Sequence, residues 1–169
     1  GVNYTIYFCL LSKQFKEAFS IEEVRWYFVI ILVSALTIAW NVRPLYATLG
    51  ETLRHSFFQV GTIITTTGFA TTDFNMWPQL SKTILLLLMM IGACAGSTGG
   101  GMKVSRVLIL FKAIRKELSM MIHPRMVKKI KMDGHNLSHE TLRSTNVYMT
   151  AYFIVLFVSL LIVCLDEYD

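Results

Sequence analysis

The sequence predicts an all-α membrane protein in which two membrane-spanning helices flank a re-entrant segment, and three observations support this fold class. Of the 169 residues, 54% are apolar and 16% are charged, whereas a soluble domain carries about 25% charged residues. The apolar residues form runs close to the roughly 20 residues that one membrane crossing requires. A glycine-rich stretch interrupts one of these runs. The length supplies only a few spans and the sequence starts at a glycine, so we expect a piece of a longer chain.

Residues 1–23 are predicted to form the end of a preceding unit and a connector. Gly1–Leu11 is apolar and is interpreted as the end of a helix that leaves the membrane. It lacks the basic head and the small-residue cleavage site of a signal peptide. Ser12–Glu23 carries charges of both signs and is the expected connector.

The first complete span is predicted over Val24–Val42. Trp26 and Trp40 lie near its two ends, where membrane interfaces favour aromatic side chains. The pair Arg43-Pro44 then ends the helix, because a proline disfavours helical geometry in the residue before it.

The next segment, Glu51–Trp77, is too polar to span the bilayer. An apolar first half, Leu53–Ile64, is followed by the hydroxyl-rich run Thr65–Phe69 and by a polar return through Asp73. Non-helical backbone at membrane depth is tolerated only where it lines water or is buried in protein. The pattern therefore predicts a short helix and a re-entrant loop.

The stretch Pro78–Leu118 is about twice as long as one span requires. Its apolar run Ile84–Ile91 is interrupted by Gly92–Gly101, and a helical pattern resumes at Met102. A helix rises only ~1.5 Å per residue, so the glycines fall inside the bilayer. We therefore predict a helix broken by glycine, and a complete helix–loop–helix unit over residues 24–118.

Charge assigns the sides of the membrane. Lys103–Arg143 holds ten Lys or Arg and three Asp or Glu, a net charge of +7 in a chain whose total is +5. Such segments stay in the cytoplasm, so residues 119–143 are predicted to be a basic cytoplasmic loop and residues 144–169 the first helix of the next unit. The basic block has no interleaved aromatic residues, which disfavours nucleic-acid binding. The three cysteines predict neither a metal site nor a disulfide framework.

The run Thr65–Phe69 fits cation binding. A cation that sheds its water needs a cage of carbonyl oxygens, and Gly68 permits the backbone dihedrals that turn carbonyls towards one axis. The alternative is a Thr-rich surface turn. Asp73 either concentrates cations at an outer mouth or is a solvated loop acid.

The run Gly92–Gly101 does not fit a phosphate-binding loop, because Lys103 does not directly follow the last glycine and no Ser or Thr follows it. Small residues for close helix packing are the simpler alternative. A flexible segment that crosses the pathway as a gate accounts better for the density and depth of the glycines. Lys103 and Arg106 are then either snorkelling anchors or groups that control the pathway.

The segments Thr65–Pro78 and Ile91–Arg106 closely resemble the membrane subunit of bacterial Trk-type potassium uptake systems, in the Trk/Ktr/HKT superfamily. The resemblance extends over essentially the whole sequence, including His123–Arg125 and Leu165–Asp166. Members of this family carry four non-identical helix–pore-loop–helix repeats around a single pore. The resemblance implies the tail of the second repeat, the whole third repeat and the first helix of the fourth.

The resemblance also implies site residues. The third quarter of a potassium selectivity filter, which binds the ion through backbone carbonyls, falls on Thr66, Thr67, Gly68 and Phe69. The intramembrane gate loop falls on Gly92, Gly96, Ser97, Thr98, Gly99, Gly100 and Gly101, with the basic residues Lys103 and Arg106 at its inner end.

The implied setting is the bacterial inner membrane, with a multi-pass chain in the lipid bilayer. The implied partners are the remaining repeats, a cytosolic nucleotide-binding regulatory subunit and a second copy of the chain, with no bound cofactor besides the transported potassium. The expected activity is potassium transport rather than enzymatic catalysis, and Gly68 favours potassium by family analogy. The alternatives are a sodium-preferring or weakly selective cation transporter, a non-conducting scaffold that docks a cytosolic partner, and a nucleotide-using membrane enzyme.

Overall fold

The computed structural model describes residues 1–14, 20–123 and 129–165. Parts of the predicted connector Ser12–Glu23 and of the segments His123–Arg125 and Leu165–Asp166 lie outside these residues. The described chain is mostly helical, which confirms the helical class, and it forms two compact units, Gly1–Ser105 and Arg106–Asp169.

The first unit contains four α-helices and two short 3-10 helices among its described residues. In chain order they are α1 (Tyr4–Leu11), α2 (Glu22–Val42), a 3-10 turn at Arg43–Leu45, α3 (Leu49–Ile64), a 3-10 turn at Phe74–Met76 and α4 (Gln79–Ile91). Helices α2, α3 and α4 pack against one another in pairs.

Helix α1 differs from the expectation of a helix end that leaves the membrane. The helix begins at Tyr4, because the side chain of Asn3 accepts a hydrogen bond from the N–H of Thr5 and caps its first turn. Gly1–Asn3 is therefore non-helical, and the apolar face of α1 packs through Ile6 and Cys9 against Val24 of α2.

Helix α2 agrees with the predicted first span and extends it by one half-turn. Glu22–Leu45 is one of two described helical stretches long and apolar enough to cross a membrane; the other is His139–Leu165. The acids Glu22 and Glu23 lie in the first turn of α2, where the helix dipole favours negative charge.

Helix α3 is the short helix predicted before the threonine-rich run, and it starts four residues earlier than Leu53. Thr48 caps it by accepting a hydrogen bond of 3.2 Å from the N–H of Glu51. One face of the helix is buried, and it combines the apolar Val60 and Ile64 with four polar side chains: Thr52, Ser56, Gln59 and Thr62.

Helix α4 is fixed to α2 by a buried polar contact. The hydroxyl of Ser81, which is fully buried, donates a hydrogen bond of 2.7 Å to Oδ1 of Asn41. The helix ends at Ile91, and the next helix, α5 (Val104–Ile122), begins two residues later than the predicted Met102.

The second unit contains the remainder of α5, a two-stranded hairpin and helix α6 (His139–Leu165). Strands β1 (Lys131–Met132) and β2 (His135–Asn136) pair antiparallel. This hairpin was not predicted from the sequence, because two-residue strands are too short to show an alternating pattern. The available signal was Asp133-Gly134, whose φ angles of 51° and 80° suit a tight hairpin turn.

Candidate functional site

The segment Thr66–Phe69, called here the threonine–glycine segment, continues directly from the end of α3. Thr66 has a φ of 56°, in the left-handed region, so the chain reverses at this residue. The N–H of Thr66 donates to the carbonyl of Ile63 at 3.0 Å, and the N–H of Thr67 donates to that of Thr62 at 2.9 Å. The N–H of Gly68 also reaches the Thr62 carbonyl, at 3.4 Å. The backbone donors at the start of this segment therefore point back into α3.

Gly68 holds the second left-handed position of the segment, with a φ of 85°. A Cβ atom added there would meet nothing within 4 Å. A side chain at Gly68 is thus opposed by backbone conformation and not by crowding. All four residues of the segment are exposed, and 71% of the surface of Phe69 is accessible.

The non-helical stretch Gly92–Lys103, called here the glycine-rich loop, is closed at its base by backbone hydrogen bonds. The N–H of Lys103 donates to the carbonyl of Ile91 at 2.9 Å, and the N–H of Val104 donates to that of Ala93 at 3.1 Å. At Gly92, with a φ of 72°, an added Cβ would overlap the carbonyl oxygen of Gly100. The two sides of the base can approach this closely only because residue 92 has no side chain.

The glycine-rich loop lies directly against the threonine–glycine segment. The N–H of Gly100 donates a hydrogen bond of 3.2 Å to Oγ1 of Thr66. A Cβ atom on Gly99 would lie 3.6 Å from the carbonyl oxygen of Thr65. Two regions that the sequence singled out separately are therefore brought together in the fold.

The ammonium group of Lys103 is bound by the loop itself. Its Nζ donates to the carbonyl of Ser97 at 3.5 Å and, more closely, to that of Gly99. A snorkelling anchor would instead extend towards the membrane surface. A phosphate-binding lysine points into a cradle of N–H groups, whereas this one meets carbonyl oxygens, which disfavours phosphate.

The remaining predicted residues of the loop and Arg106 have separate surroundings. Ser97 donates through Oγ to the carbonyl of Cys94 at 2.5 Å, and Thr98 is exposed. Arg106 belongs to the second unit, where its guanidinium carbon lies 4.0 Å from the ring centroid of Tyr148 in a cation–π contact.

Sequence reasoning missed Glu23, which the fold places beside the glycine-rich loop. Its side chain is 4% exposed, and Oε1 accepts hydrogen bonds from the N–H groups of Ala95 at 2.7 Å and Ser105 at 3.0 Å. These partners are 72 and 82 residues away along the chain. A glutamate in the first turn of a helix is ordinary, so no local signal could have indicated this contact.

The N-terminal residues of the described chain also bind this loop. The N–H of Cys94 donates to the carbonyl of Gly1 at 3.0 Å, and the N–H of Tyr4 donates to that of Gly96 at 3.2 Å. Residues that the sequence suggested were only the tail of a preceding unit therefore form one side of the site.

Beyond the threonine–glycine segment, the polar return is fixed by aromatic and hydroxyl side chains. The Tyr46 hydroxyl accepts a hydrogen bond of 3.0 Å from Nε1 of Trp77 and lies 3.4 Å from Oγ1 of Thr72. His55 stacks on Tyr46 and contacts Oγ1 of Thr71 at 2.9 Å. This cluster was not predicted, because tyrosine and tryptophan near a membrane interface also occur as simple anchors.

Asp73 has a structural contact in this return. Its Oδ1 accepts a hydrogen bond of 2.9 Å from the N–H of Asn75 and so caps the 3-10 turn at Phe74–Met76. Within the described ranges, no group of three or more His, Cys, Asp or Glu side chains is arranged to hold a metal ion. The oxygen atoms of the exposed threonine–glycine segment are backbone carbonyls and threonine hydroxyls.

Helices long and apolar enough to cross a membrane, together with the exposed threonine–glycine segment, are typical of cation transport proteins. Comparison with known families agrees. Residues 11–168 match the family described as "TrkH: Cation transport protein". The chain belongs to the TrkH family, whose members are transporters and not enzymes.

Individual relatives support the same assignment. The chain is 35% identical over 174 residues to the Trk system potassium uptake protein TrkH of Escherichia coli K12, and it is 37% identical over 172 residues to TrkH of Salmonella typhimurium. In both comparisons all of this chain is aligned but only 36% of the relative. The chain therefore spans about a third of the length of the curated relatives it matches.

A solved structure has the same fold. The crystal structure of the potassium transporter TrkH from Vibrio parahaemolyticus superimposes with a TM-score of 0.90 at 31% sequence identity. The match covers 99% of this chain and 37% of that one.

Proposed function

We propose that this chain is part of a protein that moves potassium across the bacterial inner membrane, with the threonine–glycine segment as one quarter of its selectivity filter. The supporting observation is the hydrogen bonding of that segment. Its leading N–H groups return to α3, and the carbonyls of residues 66–69 receive no hydrogen bond from the described part of the chain. Exposed carbonyls with no internal donor are the ligands that a partly dehydrated cation needs.

In this proposal the glycine-rich loop is the gate. Its contact with Thr66 through Gly100 lies at the first residue of the threonine–glycine segment, next to α3. A loop closed at its base by hydrogen bonds can move as one body, and movement away from Thr66 would open the pathway. The ammonium group of Lys103 lies on the loop carbonyls. While the loop is closed, this positive charge repels a cation beside the loop and so raises the energy of the cation there.

The same proposal gives the chain its place in a larger assembly. Residues 24–118 form one helix–pore-loop–helix repeat, preceded by the end of another repeat in 1–23 and followed by the cytoplasmic loop 119–143 and the first helix of the next repeat in 144–169. The remaining repeats complete the filter around the exposed segment. The basic cytoplasmic stretch faces a cytosolic nucleotide-binding regulatory subunit, and two such chains form a dimer in the bilayer.

The test is rubidium and potassium uptake by the full-length protein that carries this sequence, in cells that lack other potassium uptake. Gly68→Asp should abolish selective uptake, since it adds a side chain and a charge at a left-handed position of the filter. Gly61→Ala is the matched control, because Gly61 lies within α3 and an added Cβ meets nothing within 4 Å. Deletion of residues 96–100 should raise ion leak.

Membrane abundance is measured for each variant. Wild-type uptake in both Gly68→Asp and the deletion would reject the pore and leave a scaffold that docks a cytosolic partner. Uptake of sodium in preference to potassium by the unmodified protein would instead support the sodium-preferring alternative.

A further inference from the structure

Glu23 is a buried acid whose hydrogen bonds cross from the first span to the glycine-rich loop. It lies in the first turn of α2, 4% exposed, and one oxygen, Oε1, accepts from both Ala95 and Ser105. Burial of a carboxylate is unfavourable unless hydrogen bonds to the charged form compensate for lost hydration. The two N–H groups supply that compensation, so they fix where the carboxylate lies.

The two donors stand on opposite sides of the base of the loop. Ala95 lies near its beginning, and Ser105 lies in the first turn of α5, where unpaired N–H groups attract negative charge. The hydrogen bond from Val104 to Ala93 joins the same two sides directly. One carboxylate oxygen therefore ties the whole closed base to the start of α2.

The base controls the contact at the far side of the loop. Gly100 reaches Thr66 through one hydrogen bond of 3.2 Å, which is too weak by itself to hold the loop in place. The position of the base relative to α2 and α3, which pack against each other, therefore contributes to this contact. The backbone hydrogen bonds of the loop with Gly1 and Tyr4 contribute as well.

We infer that Glu23 is a positioning residue for the gate: by accepting from Ala95 and Ser105 it holds the glycine-rich loop against the threonine–glycine segment. This inference rests on the proposed function, since it takes the loop to be the gate. Shortening or removing the acceptor frees the base, weakens the Gly100–Thr66 contact and raises ion flux in the closed state.

The experiment measures rubidium flux through the full-length protein in proteoliposomes, with and without the cytosolic regulatory subunit, and normalises it to the amount of protein in the membrane. Glu23→Ala removes the acceptor, and Glu23→Asp keeps the charge but withdraws the oxygens by one methylene. Both should raise the flux without the subunit by about tenfold, the effect expected when a hydrogen bond to a charged group is lost. Glu23→Gln retains an acceptor oxygen of the same reach and should stay near the wild-type flux.

Two further variants separate this role from a general effect on folding or charge. Glu22→Gln removes a carboxylate from the same helical turn while Glu23 stays in place. It should leave the rubidium flux unchanged, both with and without the regulatory subunit. In a protein that lacks residues 96–100, Glu23→Ala should add nothing, because the part of the loop that it positions is absent.

The outcomes are distinguishable. If the deletion alone leaves flux unchanged, the gate and hence the proposed function fail. If the deletion raises flux but Glu23→Ala and Glu23→Asp behave as wild type, only the role of Glu23 is overturned. A Glu23→Gln variant as leaky as Glu23→Ala, with Glu23→Asp normal, overturns it in favour of a purely electrostatic effect. Should Glu23→Ala fail to reach the membrane, the comparison of Glu23→Asp with Glu23→Gln decides.

Discussion

The side-chain oxygen of Thr66 accepts a hydrogen bond of 3.2 Å from the backbone N–H of Gly100. This bond joins the segment after α3 to the loop between α4 and α5, two regions separated by 34 residues. It makes the hydroxyl of Thr66 the direct contact between the proposed filter and the proposed gate.

Replacement of Thr66 tests this contact. Thr66→Val keeps the shape and the backbone carbonyl but removes the acceptor, and it should raise ion flux in the absence of the regulatory subunit by about fivefold, corresponding to a net hydrogen bond of ~1 kcal/mol. Thr66→Ser retains the hydroxyl and should stay near wild type. The measurement is rubidium flux in proteoliposomes, and equal flux in the two variants would contradict a role for the hydroxyl.

Gly92 should be intolerant of any side chain. Gly92→Ala would put a Cβ onto the carbonyl of Gly100 and 2.9 Å from Cα of Gly101, at a φ of 72°. The resulting strain should destabilise the protein by about 2 kcal/mol or open the base of the loop. Thermal unfolding of the purified full-length protein measures this cost.

The control for Gly92 is another glycine of the same unit. Gly50→Ala adds a Cβ that meets nothing within 4 Å in the first turn of α3, so its melting temperature should be unchanged or slightly raised. Similar melting temperatures for both variants, together with unaltered ion flux, would show that the base of the loop is not as tight as described.

Tyr46 should stabilise the segment that returns from the filter. Tyr46→Phe leaves the ring stacked on His55 but removes the acceptor for Nε1 of Trp77, a residue only 3% exposed. A buried N–H without a partner costs about 1–3 kcal/mol, so the melting temperature should fall. Potassium-over-sodium selectivity, measured by competition with rubidium uptake, should fall with it.

Tyr4→Phe serves as the comparison for Tyr46, since it removes a hydroxyl from a side chain that is 61% exposed. If both tyrosine variants keep the stability and selectivity of the wild type, the cluster around Tyr46 has no role in supporting the filter.

Ser81 and Asn41 should contribute to stability as a coupled pair. Their hydrogen bond of 2.7 Å is buried between α4 and α2, and such bonds in membrane proteins are worth about 0.6–1.7 kcal/mol in double-mutant cycles. Ser81→Ala, Asn41→Ala and the double variant, unfolded in detergent, measure that coupling. Thr83→Ala removes a hydroxyl that bonds only to its own helix at Gln79, so it should show no coupling to Asn41.

The helical elements were predictable because their signals are local. The span predicted over Val24–Val42 and the described part of the helix predicted over residues 144–169 both fall within helical stretches that are long and apolar enough to cross a membrane, Glu22–Leu45 and His139–Leu165. Helix boundaries were predicted less accurately. The helix predicted to resume at Met102 begins at Val104, because Lys103 has a left-handed φ of 74° that no composition rule indicates. Asn3 likewise starts a new helix where the sequence suggested the end of one.

The candidate site was predictable as two separate motifs but not as one arrangement. Glycine content indicated Gly68 and Gly92–Gly101 because unusual backbone geometry favours glycine, and the hydroxyl-rich run Thr65–Phe69 was singled out together with Gly68 as a cation-binding pattern. No local sequence signal indicates the supporting side chains Glu23 and Tyr46. An acid in the first turn of a helix and a tyrosine after a span are common for other reasons.

The sequence by itself determined the membrane class, the approximate helices and the two motifs, because hydropathy, periodicity and glycine content act over a few turns of chain. Only the tertiary structure decided that Gly100 meets Thr66, that Lys103 turns back onto its own loop, and that Glu23 joins α2 to both sides of that loop. The two contacts of Glu23 join residues that are 72 and 82 positions apart in the chain, so they depend on how α2, α3 and α4 pack together. That packing is set by the fit of whole buried faces, and no local pattern contains it.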